Sequence, residues 1–252
     1  MTSLQLKEYL DFKAEQYNTK QFIDTDPIQL PHRFSRKEDV EIVALLVSTI
    51  AWGKRAMIIK SGERLLDIME HSPFEFIQNY ERRSDLKFVH RTFNAIDLDF
   101  FFRSLQNIYK NGGLEKAFSP HPDFEGVKGR IINFRTQFLR TEHEQRSEKH
   151  ISNPEKNSAA KRINMFLRWM VRKDNCGVDF GIWNSISPSE LYLPLDVHTS
   201  NNARELGLLT RKQNDWKALD ELMIQLRKMD AIDPVKYDFA LFGIGAFEGE
   251  II

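Results

Sequence analysis

Cysteine is nearly missing from this chain, with Cys176 alone in 252 residues. A single thiol excludes an internal disulfide framework and the four-thiolate cradle of an iron–sulfur cluster, and it predicts a reduced, cytoplasmic setting. No apolar run approaches the roughly 18 residues of a membrane-crossing helix, and Met1 to Tyr17 is charged without an apolar signal core, so neither membrane insertion nor secretion is expected. Net charge is missing too. The 36 basic residues balance 36 acidic ones, which argues against a strongly basic nucleic-acid coat. Seven histidines are scattered with no His-x-x-x-His spacing and no partner cysteine, so no metal site is expected. Strand-like alternation, repeats and low-complexity tracts are also absent, leaving helical periodicity as the organising pattern.

With 41% hydrophobic residues the chain can bury a full core, as one domain or as two lobes sharing a cleft. Leu4, Leu6, Tyr9, Leu10, Phe12 and Ala14 predict a first helix, broken by the prolines between Asp26 and His32. Ser35 to Glu38 reads as a capping box ahead of Val40 to Ile50, an almost wholly apolar stretch predicted to be the core helix. Trp52-Gly53-Lys54-Arg55 interrupts it. Further helices are expected over Met57 to Glu70, from Ser72-Pro73, over Leu98 to Tyr109 up to Gly112-Gly113, and over Phe124 to Leu139. Thr141 to Asn157, with Ile151 its one aliphatic residue, is expected as an exposed loop or fraying helix and not as a domain linker. Helices are then expected from Lys161, near Thr199 to Glu205, over Asp215 to Lys228, and over Pro234 to Phe242, ending at Gly243-Ile244-Gly245. The fold class is all-α.

Chemistry concentrates between Ser158 and His198. Lys161 opens an amphipathic helix, where unpaired backbone N–H groups and the macrodipole disfavour a positive charge and so favour the neutral, nucleophilic amine. Asp196, after Pro194-Leu195, opens another helix, where a carboxylate accepts backbone N–H bonds. One amine and one carboxylate are the minimum for Schiff-base chemistry at a carbon bearing a leaving group. A solvated lysine and a merely capping aspartate fit the same pattern. Lys156 to Lys173 holds six cations and no acid, and Ala51 to Arg64 holds four against Glu63. A basic face gripping a short stretch of backbone and a set of solvated helix faces both fit this distribution.

Pro194-Leu195-Asp196-Val197-His198, followed at Leu206-Gly207-Leu208, resembles the segment around the active-site aspartate of the helix-hairpin-helix DNA glycosylases. Lys161 precedes Asp196 by 35 residues, a spacing similar to that of the archaeal 8-oxoguanine DNA glycosylases. Asn157-Ser158-Ala159-Ala160 would replace the glycine hairpin usual before the lysine. The chain also resembles, nearly over its whole length, a bacterial family of unknown function, domain-of-unknown-function family 2400. The runs carrying that likeness are Asn153 to Lys156, Lys161 to Arg172 and Asp233 to Gly243.

The glycosylase resemblance implies an all-α, two-lobed helix-hairpin-helix fold with a cleft between the lobes. Residues 40–195 would form the central helical lobe, and 1–39 with 196–252 the second. It implies base-excision repair of duplex DNA, with Lys161 as nucleophile, Asp196 as electrostatic partner, a damaged base (an oxidised purine by similarity) as substrate, and no metal or organic cofactor. The protein would act as a monomer in the cytoplasm, at the nucleoid if it binds DNA. Trp52, Lys54 and Arg55 would form a wedge turn on the duplex, or pack as a core tryptophan beside two solvated cations. Lys156, Arg162, His198, Asn201 and Arg204 are the other expected DNA contacts; Asn201 stands where the family usually has arginine, and Arg204 could take over its contact. Trp183 would stack on the extruded base. A non-catalytic nucleic-acid or protein binding module of the same fold, and an enzyme acting on nucleosides or RNA, are the alternatives.

Overall fold

The computed structural model describes residues 1–248. Helices dominate: α1 (Ser3–Tyr17), α2 (Lys20–Thr25), α3 (Lys37–Thr49), α4 (Arg55–Ile68), α5 (Pro73–Gln78), α6 (Ala95–Lys110), α7 (Leu114–Ala117), α8 (Gly126–Phe138), α9 (Lys161–Val171), α10 (Val197–Glu205), α11 (Trp216–Met229) and α12 (Tyr237–Gly243). Among the described residues the strands are β1 (Val89–His90) and β2 (Phe93–Asn94), a two-residue antiparallel hairpin too short to register as alternation. Short 3₁₀ turns at Pro27–Gln29 and Pro31–Arg33 occupy the proline-rich break after α2. No helix of the described residues is long and apolar enough to cross a membrane.

Local chemistry explains the helix ends. Thr2 and Gln5 form a reciprocal capping box on α1, and Asn94 with Asp97 does the same on α6. The expected box at Ser35 does not form, because α3 starts at Lys37 and leaves Arg36, with no side-chain bond, at the cap. Gly113, at φ +92°, takes the left-handed turn that stops α6, and its N–H bonds the carbonyl of Ile108 at 3.0 Å.

The chain forms two compact units: residues 23–153, and residues 1–22 with 154–248. Their boundaries fall at 22/23 and 153/154, where the sequence reading put lobe boundaries near 40 and 195. The first unit is built on α3, buried from Val40 through Thr49, and on α6, whose consecutive Phe100, Phe101 and Phe102 are all buried. The aromatic rings meet mostly edge to face, as ring quadrupoles favour, with Phe93 5.2 Å and Phe138 4.9 Å from Phe101.

Within this unit the segment from Thr141 corrects the expectation of an exposed loop. It carries a 3₁₀ turn, Gln145–His150, and buries Ser147, His150 and Ile151. The cause is Asp97, a fully buried carboxylate at the start of α6. Ser147 Oγ donates to it at 2.6 Å, Arg146 Nη1 reaches both its oxygens at 3.1 Å, and His150 Nε2 lies 3.4 Å away. Arg135 adds a clamp on the Glu148 and Ile151 carbonyls. A polar segment is thus drawn inward because a buried charge needs donors.

The other unit packs α1 along α12, with the Tyr237 hydroxyl donating to Asp11 at 2.9 Å and Phe22 edge-on to Phe239 at 5.3 Å. The apolar faces of α9 and α11 supply most of its remaining core. The last helix does not stop at the glycines: beyond Gly243 the backbone widens into a π-helical turn, Ile244–Glu248. That turn is fastened by Glu248, which accepts from Lys13 at 2.7 Å and from the Tyr17 hydroxyl.

Burial alone would raise the Asp97 carboxyl, but bonds from His150, Ser147 and the Asn94 N–H outweigh it and pull it down to about 2. The folded value lies below roughly 3.9 in an unfolded chain, so this stabilisation is complete above about pH 4 and is lost as pH falls through 2. Asp97→Ala should therefore lower unfolding free energy by about 3–5 kcal/mol in denaturant titrations near neutral pH and should flatten the acid limb between pH 4 and 2.

Candidate functional site

The lysine singled out in the sequence opens α9 directly. Two left-handed residues precede it, Asn157 at φ 64° and Ala160 at φ 47°. Such backbone costs a non-glycine residue roughly 1–2 kcal/mol. It is held by bonds to the start of α11: Asn157 Nδ2 donates to Asp215 at 2.8 Å, and the Asn157 carbonyl accepts from the Trp216 N–H at 3.0 Å. The helix consequently begins at Lys161 with no side-chain cap.

Asp196 is the N-cap of α10, its Oδ1 accepting the Thr199 N–H at 2.9 Å. Its other oxygen, Oδ2, lies 3.8 Å from Lys161 Nζ. One oxygen holds the helix and the other faces the amine. The side chains are 31% and 21% exposed, so a reactant can reach both.

Behind this pair lies a buried charge network that the sequence reading did not single out. Arg168, two turns along α9 from Lys161, donates Nε to Asp179 at 3.2 Å and Nη1 to Asp238. Arg172, one turn further, bonds Asp179 at 3.1 Å, Asp174 at 2.5 Å and Asp233 at 3.0 Å, and Asn18 closes the chain on Asp174 at 2.6 Å. The Phe239 ring lies under both guanidiniums, 4.4 Å from Arg168 and 5.3 Å from Arg172. Burial raises the Asp179 carboxyl despite both arginines. Burial also raises Asp238, with Asp196 adding to the rise and Arg168 and Lys161 opposing it, leaving it at about 7. The one signal for Asp238 was its place in the run Asp233 to Gly243.

Over residues 26–247 the chain matches the family described as Protein of unknown function (DUF2400). The chain belongs to that family. No curated protein and no solved structure matches it. The DUF2400 match takes in Lys161, Asp196 and Asp238 and leaves out α1.

The other expected site residues of this DUF2400 chain fall into three groups. Lys156, His198 and Asn201 are exposed in the same unit as Lys161. Arg162 is half-buried, which pulls its guanidinium down to about 10 and leaves it cationic at neutral pH. Arg204 and Trp183 correct the sequence reading. Arg204 is occupied with its own fold, donating Nε to the Arg211 carbonyl at 2.9 Å and Nη2 to the Lys212 carbonyl at 2.9 Å and to Asn214 at 2.6 Å. Trp183 is 2% exposed and edge-on to Phe166 at 5.3 Å, so its ring lies in the core and not against solvent.

Trp52, Lys54 and Arg55 belong to the other unit. Lys54 is exposed, Arg55 intermediate, and Trp52 half-buried, stacked on His150 at 6.0 Å and edge-on to His90 at 5.2 Å. His90 bridges Ser61 Oγ at 2.8 Å and the Trp52 carbonyl at 3.2 Å. A carbonyl only accepts, so the His90 proton sits on Nε2 and Nδ1 accepts from the serine. Gly53, at φ +100°, makes the turn that follows.

Removing Arg168 would strand two buried carboxylates. Arg168→Ala should lower unfolding free energy by about 3–5 kcal/mol. Asp196→Ala should cost about 1 kcal/mol as a lost cap, whereas Asp196→Asn, which still caps, should unfold within a few tenths of the parent in the same titration.

Proposed function

We propose that this protein is a DNA base-excision enzyme of the glycosylase/lyase type, with Lys161 as nucleophile and Asp196 as its electrostatic partner. The observation that carries the proposal is the 3.8 Å separation of Lys161 Nζ from Asp196 Oδ2, both within reach of solvent. The helix-hairpin-helix glycosylase-like fold, a damaged-base duplex as partner and monomeric action belong to the same proposal.

In the proposed reaction the damaged base is first extruded, because chemistry on a stacked base requires it. The Lys161 nitrogen pair then bonds to C1′ as the glycosidic C1′–N bond breaks, and that bond's electrons leave with the base, which takes up a proton. Loss of a proton from the nitrogen and opening of the C1′–O4′ bond give a Schiff base, from which the 3′ phosphate departs by elimination. Asp196, already fixed by the Thr199 N–H, offers a preorganised negative charge to the cation developing at the sugar. Exposed Lys156 and Lys54, together with Arg162, would contact phosphates.

A second reading, a non-catalytic binding module, is favoured by specific observations: Arg204 spends its donors on its own loop, Trp183 is closed in the core, and the net charge is zero.

Borohydride with a panel of lesion-bearing duplexes separates the two. A lysine nucleophile predicts a covalent protein–DNA adduct that Lys161→Gln abolishes without abolishing binding. Asp196→Asn should reduce base release by about 10²–10³-fold, the usual effect of removing one preorganised electrostatic group. Parent-like behaviour of both variants would assign a binding module. Duplex affinity should also fall with rising salt by a shallow slope, near −0.9 per phosphate contacted.

A further inference from the structure

We infer that Asp238 is the proton acceptor for Lys161, a third functional group of the site lying behind the amine–carboxylate pair. The inference rests on the reading of Lys161 as a nucleophile and adds the base that such a nucleophile needs.

Charge balance points to it. Two buried guanidiniums, Arg168 and Arg172, face four carboxylates, Asp174, Asp179, Asp233 and Asp238. Buried negative charge in excess of its partners is relieved by holding a proton. Asp179 touches both guanidiniums, and Asp174 and Asp233 are partly exposed on Arg172. Asp238 is the remaining member: it is buried, and its donor is Arg168, a donor it shares with Asp179. It is also the member whose ionisation feels Lys161 and Asp196.

The groups facing Asp238 are Lys161 and Arg168 from α9, Asp196 from the start of α10, and Asp179 from the segment after α9. On α1, Asp11 is taken by Tyr237 and Lys236, and His198 of α10 lies against Phe242. With its carboxyl near 7, Asp238 populates both forms at neutral pH, which is what a proton-accepting group requires. Asp196 is unsuited to that task, since its charge is needed against the developing cation and one oxygen is committed to the Thr199 N–H. In the step assigned to Asp238, a Lys161 N–H bond breaks and an O–H bond forms on the carboxylate. The N–H electron pair stays on nitrogen and becomes the bond to carbon.

The test uses glyceraldehyde and cyanoborohydride, which convert any lysine able to form a Schiff base into a stable secondary amine, read site by site by peptide mass spectrometry. Exposed Lys156 is the internal reference. Lys161 labelling should rise through an inflection near pH 7 that Lys156 lacks. Asp238→Asn should remove the inflection and slow Lys161 labelling by about 100-fold, the lower range for a positioned base, and Asp238→Glu should restore part of it. A wild-type Lys161 profile that tracks Lys156 overturns the inference without any variant, and so does a folded Asp238→Asn protein that keeps the inflection. Running the lesion-duplex trapping in parallel keeps the two ideas apart. Asp238-dependent labelling without a DNA adduct supports the inference and defeats the glycosylase reading. A DNA adduct whose pH profile ignores Asp238→Asn does the reverse.

Discussion

Burying Arg168 and Arg172 is the constraint around which the lysine-bearing unit is arranged. Two guanidiniums four residues apart on one helix face lie within a turn of each other, and neither can leave water without carboxylates to receive its N–H groups. Asp179 comes from the segment that follows α9, Asp174 from the turn between them, and Asp233 and Asp238 from the turn before α12 and from α12 itself. Satisfying the two arginines therefore ties the chain near 170 to the chain near 235, and the Phe239 ring fills the space beneath both. Lys161 lies on the same helix two turns before Arg168. The order that holds the core together also fixes where the amine emerges.

The second device is the pairing of helix starts. Asp215 caps α11 and holds Asn157, while Asp196 caps α10 and faces Lys161. Each carboxylate keeps one oxygen on its own helix and uses the other across a gap in sequence. Neither can swing away without uncapping a helix, at about 1 kcal/mol. The left-handed backbone at Ala160 is retained because the Asn157 bonds over-determine the turn.

Lys161 and Asp196 were legible in the sequence because helix starts leave a local signature, and the helices themselves were legible because their apolar spacing is local too. Asp238 was not. It lies 42 residues beyond Asp196 in a run that reads as an ordinary amphipathic turn, and its role depends on Arg168 reaching it through space. The segment from Thr141 was misread for the same reason: its composition is that of a solvated loop, and only Asp97, far back in sequence, explains why Ser147 and His150 are inside. Trp183 lay in a loop by its neighbours and in the core by its contact with Phe166. Arg204 had the right spacing for a phosphate contact, but the Arg211 and Lys212 carbonyls lie nearer than any ligand need be.

The basic run from Lys156 to Lys173 shows how a charge count misleads in both directions. Arg168 and Arg172 are buried and paired, so of its six cations only Lys156, Lys161, Arg162 and Lys173 have any solvent-facing surface. The acidic C-terminal stretch, which looks like a repulsive flank in the sequence, spends Asp233 and Asp238 on those same arginines. Zero net charge is thus partly an internal neutralisation, and the field outside depends on what the core leaves over. Under the proposed function, few phosphates would be gripped, and discrimination would rest on chemistry at a single sugar carbon more than on backbone affinity.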